Sequence, residues 1–258
     1  MADQDKLTFA ISLAQKAGRL LLHSDRGIKT VKGSAGNFAT VADLASERFL
    51  ISAITKKFPS HKILSEETKS ELDNPHLASS LWIIDPIDGT SNFFYGIPFF
   101  CVSIAYAEFG EVKIGVVCDP VREEVFYAKI GSGAYLDGEK ISVQDKKDFS
   151  GTLVNIGSPY KFSDFEKGKP LMDKFYRKGA RVRNFGAAAL EAVYVAAGRL
   201  AFYGEWGQKA WDVAAAKLIV EEAGGTVKYS GGKSIFDAKG FTFIPKGLAE
   251  AVGKLIEK

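Results

Sequence analysis

Two aspartates, Asp85 and Asp88, directly follow a short apolar segment and are separated by Pro86 and Ile87. The apolar segment, residues 81–84, is typical of a buried strand. Pro86 has a fixed φ angle and holds the residue before it in an extended conformation, so we expect the strand to end in a defined bend. Such a bend can turn both carboxylates and the carbonyl oxygen of Ile87 to one side. Oxygen ligands in that arrangement suit a hard divalent cation such as Mg²⁺.

The next three residues, Gly89, Thr90 and Ser91, are typical of the start of a short helix. N–H groups at a helix N-terminus have no partner within the helix and can bind an anion. A cation site and a phosphate site would then be adjacent, which predicts a metal-dependent phosphatase. By itself, the pattern Asp-Pro-x-Asp-Gly is also common in ordinary turns, so other residues must decide.

Three further groups of acids could belong to the same site. Glu66 and Glu67 follow a predicted strand, and adjacent acids on a strand point to opposite sides, so we expect them to have different roles. Asp43 lies in the first turn of a helix that a capping box opens at Thr40. Asp212 begins another predicted helix. Solvated surface acids and simple helix caps are the alternative explanations for these residues.

Charge and composition argue against several classes of partner. A formal net charge of +3 is too small to indicate nucleic-acid or membrane binding, and 46% hydrophobic with 25% charged residues is ordinary for a soluble globular protein. No apolar run has the length of a membrane span, and no secretion signal is recognised, so a cytoplasmic protein is expected. Cys101 and Cys118 lie in apolar strand-like runs, which favours buried free thiols over a disulfide.

Apolar periodicity divides the chain into two predicted lobes. Residues 1–148 predict an α+β lobe that carries most of the acids, and residues 149–258 predict an α/β lobe. Residues 27–37 predict a loop. Helices are predicted at residues 5–24, 40–58, 168–178, 186–197, 212–223 and 248–258. Strands are predicted at residues 62–64, 81–84, 99–109, 112–118, 125–130, 134–136, 141–143, 152–156, 181–184, 200–203 and 225–229.

Three parts of the chain resemble the inositol monophosphatase family, which belongs to a magnesium-dependent, lithium-sensitive phosphatase superfamily. Residues 82–92 (WIIDPIDGTSN) resemble its first signature, and residues 211–216 (WDVAAA) followed by 221–225 (EEAGG) resemble its second. Glu66 and Glu67 stand where the family carries paired glutamates, although Ser65 precedes them where Gly is usual. The matches follow the family order from about residue 32 to residue 225.

The resemblance implies a layered αβαβα sugar-phosphatase fold with two tightly packed lobes. It also implies two to three Mg²⁺ ions in the active site. Glu66, Asp85 and the carbonyl of Ile87 would bind the first ion, and Asp85, Asp88 and Asp212 the second. A third, weaker ion would contact Glu66 and water.

The resemblance also assigns catalytic and substrate-binding roles. A metal-activated water would attack phosphorus, deprotonated with help from Thr90 and from Glu67 or Asp43, with Asp43 paired to Thr90. Glu205 would accept hydrogen bonds from cyclitol hydroxyls, unless it is simply an exposed loop acid. The expected substrate-binding residues are Asp88, Gly89, Thr90, Ser158, Ala188, Glu205 and Asp212.

The expected activity is the Mg²⁺-dependent hydrolysis of inositol monophosphate to inositol and phosphate. The alternatives are a fructose-1,6-bisphosphatase or an enzyme with both activities. An alternative of another class is a binding factor associated with RNA polymerase, as some family members are. The expected partners are a small phosphorylated polyol or sugar and a second copy of the chain in a homodimer, with no membrane and no nucleic acid.

Overall fold

Seven α-helices and fourteen strands make up the described part of the computed structural model, which comprises residues 3–31, 38–68, 72, 74–157 and 159–256. The helices are α1 (Asp3–Leu22), α2 (Val41–Lys57), α3 (Thr90–Tyr95), α4 (Phe162–Arg177), α5 (Ala188–Ala196), α6 (Ala210–Glu222) and α7 (Ala249–Ile256). The strands are β1 (Ile28–Val31), β2 (Phe38–Thr40), β3 (Lys62–Ser65), β4 (Leu81–Asp88), β5 (Cys101–Glu108), β6 (Glu111–Asp119), β7 (Glu124–Lys129), β8 (Ala134–Leu136), β9 (Glu139–Ile141), β10 (Leu153–Ile156), β11 (Arg181–Arg183), β12 (Phe202–Trp206), β13 (Gly225–Ser230) and β14 (Gly240–Pro245).

Two large sheets and three groups of helices stack in the order αβαβα. One sheet has the strand order β3-β4-β5-β6-β7-β8-β9 and the other β11-β10-β12-β14-β13. Helices α1 and α2 cover the outer face of the seven-stranded sheet, α5 and α6 lie between the sheets, and α4 and α7 cover the outer face of the five-stranded sheet. The predicted layered fold is therefore confirmed.

Strand β4 illustrates how the layers share the apolar residues. Trp82 and Ile84 pack into the core formed with α1 and α2, whereas Leu81 and Ile83 pack into the core formed with α5 and α6. All eight residues of the strand are buried. A strand buried on both faces is a continuous apolar run, which is why this one could be predicted from the sequence.

Strand β14 is the main element that the sequence analysis missed. Its six residues are buried, and it lies between β12 and β13, antiparallel to both. The run is short, with glycine at its first position and proline at its last, so it lacks the periodicity that identifies a strand. The sheet is consequently mixed, because β11, β10 and β12 are parallel to one another.

Helices α4 and α6 begin earlier than predicted. Helix α4 starts at Phe162 rather than at residue 168, and it continues through Gly168 and Pro170. These two residues are usually read as helix breakers. Leu171 and Phe175 of α4 are buried in the outer core, and this packing outweighs the unfavourable local propensities. Helix α6 starts at Ala210, so that Asp212 lies within its first turn.

Residues 27–37 are only partly described. β1 occupies Ile28–Val31 and pairs antiparallel with β2, so the predicted loop contains a strand. Residues 32–37 lie outside the described part of the chain.

Two other sequence predictions can be compared with the structure. Cys101 and Cys118 are both buried free thiols, as expected. Across residues 3–256, apart from the gaps noted above, no helix has the length and apolarity needed to cross a membrane. The division into lobes at residue 148 stays a prediction.

Candidate active site

Strand β4 was predicted to end at Ile84, but it continues to Asp88, with a bulge between Asp85 and Asp88. Asp85 pairs with Ser103 of β5 and Asp88 pairs with Cys101, so three steps along β4 match two steps along β5. On a regular strand, the side chains of residues three apart point to opposite faces of the sheet. The bulge inserts one extra residue between Asp85 and Asp88, so their side chains point to the same face. The bulge therefore places both buried carboxylates on one side of the sheet.

Asp88 connects this strand to the start of helix α5. Its Oδ1 accepts a hydrogen bond from the N–H of Ala188 at 2.8 Å, and its Oδ2 accepts from Ala189 at 2.8 Å and Leu190 at 3.3 Å. The Cys101 thiol donates to the same Oδ2 at 3.4 Å. The first N–H groups of a helix lack partners within the helix, and the helix dipole favours a negative charge there. Asp88 thus serves as a cap for a helix 100 residues away in the chain.

Thr90 lies between Asp43 and the backbone of β4. Gly89, with φ of +90°, turns the chain from β4 into α3. The Thr90 hydroxyl is 3.0 Å from Asp43 Oδ1 and 3.0 Å from the carbonyl oxygen of Ile87. One hydroxyl proton can serve only one of these acceptors at a time, and the hydroxyl oxygen can itself accept. The other Asp43 oxygen accepts from the N–H of Thr40 at 2.6 Å and from its hydroxyl at 2.5 Å. The Asp43 N–H in turn donates to the Thr40 hydroxyl oxygen at 3.3 Å, which completes the predicted capping box.

Glu66 and Glu67 follow β3 in a bend of the chain, and both side chains are half-buried. The bend is attached to helix α2 through Glu47. This buried carboxylate accepts hydrogen bonds from the hydroxyl of Ser65 and from the N–H groups of Glu67 and Thr68. The course of the backbone past Glu66 therefore depends on a residue of another element.

Asp212 reaches the site from the first turn of α6. Its Oδ2 accepts the N–H of Lys209 at 2.6 Å, so the carboxylate does cap the helix. The hydroxyl of Ser103 donates to the carbonyl of Trp211 at 3.5 Å, which ties the start of α6 to the strand beside Asp85. Capping and a role in the site are compatible, because a carboxylate has two oxygens.

The pKa values of Asp85, Asp88 and Asp212 are all raised. Burial raises the pKa of Asp85 well above its usual range, and nearby negative charges raise it further, those of Glu66, Asp88, Asp212 and Asp43. Burial and the charge of Glu66 likewise raise the pKa of Asp212. Burial raises the pKa of Asp88 to about 6, although the hydrogen bonds it accepts oppose the shift. Such a concentration of mutually repelling acids is typical of a functional site.

Glu205 extends from strand β12 and is half-buried, which is not the environment of an exposed loop acid. The hydroxyl of Tyr203 donates to its Oε2 at 2.7 Å, and the same hydroxyl accepts from Gln208 Nε2 at 3.0 Å. Gly157 leaves the space that the carboxylate occupies, because a Cβ there would lie 2.0 Å from Oε2. Burial and the charge of Glu191 raise the pKa of Glu205 well above its usual range.

A family model matches residues 3–257, and it describes the inositol monophosphatase family. The chain belongs to this family. One relative is the fructose-1,6-bisphosphatase/inositol-1-monophosphatase of Thermotoga maritima, which is 38% identical over 257 residues, or 98% of this chain and 96% of that protein. Another is the Nus factor SuhB of Pasteurella multocida, which is 40% identical over 88% of this chain and 86% of that protein. The solved structure of the extragenic suppressor protein SuhB from Bartonella henselae matches with a TM-score of 0.89 and 30% identity, covering 98% of this chain and 99% of the other.

The protein is therefore a phosphatase of the inositol monophosphatase family, which is generally metal-dependent. The oxygen donors at the site suit a hard cation. No group of three or more Asp, Glu, His or Cys side chains within the described residues is already arranged to hold an ion. Asp85, Asp88 and Asp212 each accept at least one backbone N–H with a carboxylate oxygen. The donors fit a metal by their chemistry, and reorientation of side chains would complete the coordination.

The structure brings most of the residues expected at the site together. Asp43, Asp85, Asp88, Thr90 and Asp212 are linked by hydrogen bonds or by mutual electrostatic effects, and Glu66 contributes to the latter. For two of the expected substrate-binding residues, Ala188 and Ser158, the structure does not show a group that is available to the substrate. The N–H of Ala188 already binds Asp88, so it can reach a substrate only if that bond is exchanged. Ser158 lies outside the described residues.

Sequence reasoning missed four residues that hold the site in place, namely Glu47, Cys101, Glu191 and Tyr203. A usable signal existed for Glu47, which follows Asp43 by four residues and therefore lies on the same face of α2. Glu191 accepts the N–H groups of Phe185 and Gly186, just before α5 begins. Both donors to this carboxylate are five or six residues away in the chain, yet nothing in the sequence indicates that the carboxylate is buried.

Proposed function

We propose that this protein is a Mg²⁺-dependent phosphomonoesterase that hydrolyses inositol monophosphate to inositol and phosphate. The observation that carries the proposal is the convergence of Asp85, Asp88 and Asp212, with Glu66 nearby, on one side of the β4 bulge. Burial raises the pKa values of all three aspartates, and neighbouring negative charges raise those of Asp85 and Asp212 further. Glu66, Asp85 and the Ile87 carbonyl would hold one ion, and Asp85, Asp88 and Asp212 a second. Bound Mg²⁺ would supply positive charge for the phosphate and the leaving oxygen.

The protein's own residues can move the proton of the attacking water. When Thr90 donates to Asp43, its oxygen can accept a hydrogen bond from water, and a proton can pass from water to Thr90 as the Thr90 proton passes to Asp43. The water oxygen then bonds to phosphorus while the ester P–O bond breaks, and the leaving alkoxide takes up a proton. Glu67 is the alternative partner for Thr90. The N–H groups of Gly89 and Thr90 would hold phosphate oxygens at the start of α3.

The selection of a polyol rests on Glu205. A carboxylate that Tyr203 holds through one oxygen can accept hydrogen bonds from neighbouring hydroxyls with its remaining lone pairs. An inositol ring offers such hydroxyls beside the phosphate. This supports inositol monophosphate as the preferred substrate.

Two alternatives have specific support. The Thermotoga maritima relative is named for both fructose-1,6-bisphosphatase and inositol monophosphatase activity, which favours a dual activity here. The Pasteurella multocida relative is named a Nus factor, which favours a binding role with or without catalysis. Assembly as a homodimer and a cytoplasmic location stay predictions.

The proposal is tested by phosphate release with inositol 1-phosphate and fructose 1,6-bisphosphate measured side by side in MgCl₂. We expect release to be metal-dependent and faster from the inositol ester, and to stop in EDTA. The Glu205→Gln variant is the matched control for substrate choice, since it retains the proposed metal ligands and should lose the preference.

Comparable rates with both esters would favour the dual enzyme. If neither ester released phosphate in a Mg²⁺-dependent reaction, the proposed activity would be wrong, and the binding role would become the better explanation.

A further inference from the structure

Helix α2 presents three buried polar side chains toward the site. Asp43, Ser46 and Glu47 are at most 2% exposed, and their spacing of three and four residues places them on one face of the helix. Asp43 contacts Thr90 at the start of α3. The hydroxyl of Ser46 donates to the carbonyl of Pro86 within the β4 bulge at 3.1 Å. Each of these residues therefore contacts a different segment that carries proposed site residues.

Glu47 makes the most extensive of these contacts. Its Oε1 accepts from the hydroxyl of Ser65, from the N–H of Glu67 at 3.1 Å and from the N–H of Thr68 at 2.8 Å. Its Oε2 accepts from the hydroxyl of Thr68 at 2.7 Å. Four donors from one short segment thus converge on a single carboxylate, two of them backbone groups.

The contacts with Glu47 matter because residues 65–68 include Glu66. Strand β3 ends at Ser65, and residues 66–68 form a bend with no regular secondary structure. The donors come from both sides of Glu66, so the carboxylate determines the path of the backbone from which Glu66 projects. The hydroxyl of Ser65 anchors the segment on the N-terminal side of Glu66, at the last residue of β3.

We propose that Glu47 is a positioning residue that sets Glu66 for metal binding and so controls the affinity of the site for Mg²⁺. The proposal rests on the proposed function, because it takes Glu66 as a metal ligand. Both carboxylate oxygens of Glu47 accept hydrogen bonds from residues 65–68, so the residue acts through this segment. Replacing a residue that orients a metal ligand, without binding the metal itself, typically lowers metal affinity by about 10-fold to 100-fold.

The test is to titrate the purified protein with Mg²⁺ and to measure its thermal unfolding temperature at each Mg²⁺ concentration. A ligand that binds only the folded state stabilises it by RT ln(1 + [L]/Kd), so the dissociation constant can be obtained from the rise of the unfolding temperature with Mg²⁺ concentration. We expect Glu47→Gln, which keeps the size but replaces one acceptor oxygen by an NH₂ group, to raise the dissociation constant about tenfold or more. At saturating Mg²⁺, kcat should recover much of its wild-type value, because the ligands themselves remain.

Glu222→Gln is the matched control. Glu222 accepts the N–H groups of Gly131 and Gly133, both at 2.7 Å, so it clamps a turn in the same chemical manner but away from the proposed site. It should change the metal-free unfolding temperature without changing Mg²⁺ affinity. A purely structural role for Glu47 predicts the same behaviour for Glu47→Gln.

Two milder variants decide the matter if Glu47→Gln does not fold. Ser65→Ala and Thr68→Val each remove one hydroxyl donor to Glu47 and leave the carboxylate in place, and together they should weaken Mg²⁺ binding several-fold. The proposal would be overturned if Glu47→Gln folded and bound Mg²⁺ with wild-type affinity. If Glu47→Gln did not fold, wild-type Mg²⁺ affinity in the double variant would overturn it. If the wild-type protein showed no stabilisation by Mg²⁺, the proposed metal site would fail instead.

Discussion

At the scale of single residues, the site consists of acids whose charges are only partly compensated within the chain. Asp88 accepts three backbone N–H groups and a thiol, whereas Asp85 accepts one backbone N–H. The pKa of Asp88 accordingly reaches only about 6, while that of Asp85 is raised well above its usual range. Asp88 differs from Asp85 in two ways: more donors stabilise its charged form, and neighbouring negative charges act chiefly on Asp85.

The hydrogen bond between Tyr203 and Glu205 supports a prediction about substrate choice. Tyr203→Phe removes the donor to Oε2 and leaves Glu205 less firmly oriented. Losing one hydrogen bond of about 1 kcal/mol should raise KM for inositol 1-phosphate roughly fivefold with little change in kcat. Steady-state kinetics with this ester and with p-nitrophenyl phosphate check the result. The second ester lacks ring hydroxyls, so an equal rise in its KM would contradict the orienting role.

At the scale of elements, the N-termini of three helices point toward the acids. Asp43 lies in the first turn of α2 and Asp212 in the first turn of α6, and Asp88 binds the first amides of α5. Each helix N-terminus carries a partial positive charge that favours a nearby carboxylate. This arrangement offsets part of the repulsion among the acids when no ion is bound.

The segment before α5 has its own buried acid. Glu191 is fully buried, one oxygen accepts from Phe185 and Gly186, and the other has no hydrogen-bond partner among the described residues. Burial raises its pKa from 4.5 to about 7, although the hydrogen bonds from the two N–H groups oppose the shift. The folded state therefore keeps a proton that the unfolded chain releases between these pH values.

This difference predicts how stability changes with pH. Because the folded state binds more protons than the unfolded state between pH 4.5 and 7, the free energy of unfolding should fall as the pH rises through that window. The loss from Glu191 alone is on the order of 3 kcal/mol. Glu191→Gln cannot ionise and should avoid this loss. The test is to measure the unfolding temperatures of the wild-type protein and of Glu191→Gln at pH 5 and pH 8 in EDTA. An equal fall in unfolding temperature between the two pH values in both proteins would refute the prediction.

At the scale of the whole molecule, the two predicted lobes share one core. The apolar cluster between the sheets combines Leu81 and Ile83 of β4 with residues of α5 and α6 and with Tyr203 and Phe243 of the second sheet. Neither lobe could keep this surface from water without the other. The candidate active site draws on both predicted lobes, since β4 contributes Asp85 and Asp88 while α6 contributes Asp212.

The shared core predicts cooperative unfolding. Calorimetry of the metal-free protein should show a single transition, with the calorimetric enthalpy equal to the van't Hoff enthalpy. A fragment of residues 1–148 should not fold alone, because one face of its sheet would be exposed. Two separate transitions, or a folded fragment with a cooperative melt, would show that the lobes are independent.

Local sequence patterns were sufficient for much of this structure. The apolar run before Asp85, the capping box at Thr40 and the short helix after Gly89 all appear as expected, because each depends on interactions between residues close in the chain. The paired Asp43 and Thr90 followed from the family resemblance. The bend after Ile84 was wrong in form, since a bulge in a continuing strand turns the two carboxylates to one side.

What the sequence by itself determined was the set of acids, the secondary structure that carries them and the family signatures. Only the tertiary structure decided which partners hold those acids. Asp88 binds amides 100 residues away, and Glu47 receives a segment 18 to 21 residues further along the chain. Strand β14 and the burial of Glu191 depend equally on distant neighbours. The physical reason is that periodicity and capping are local, whereas burial and hydrogen-bond partners arise only when the layers pack together.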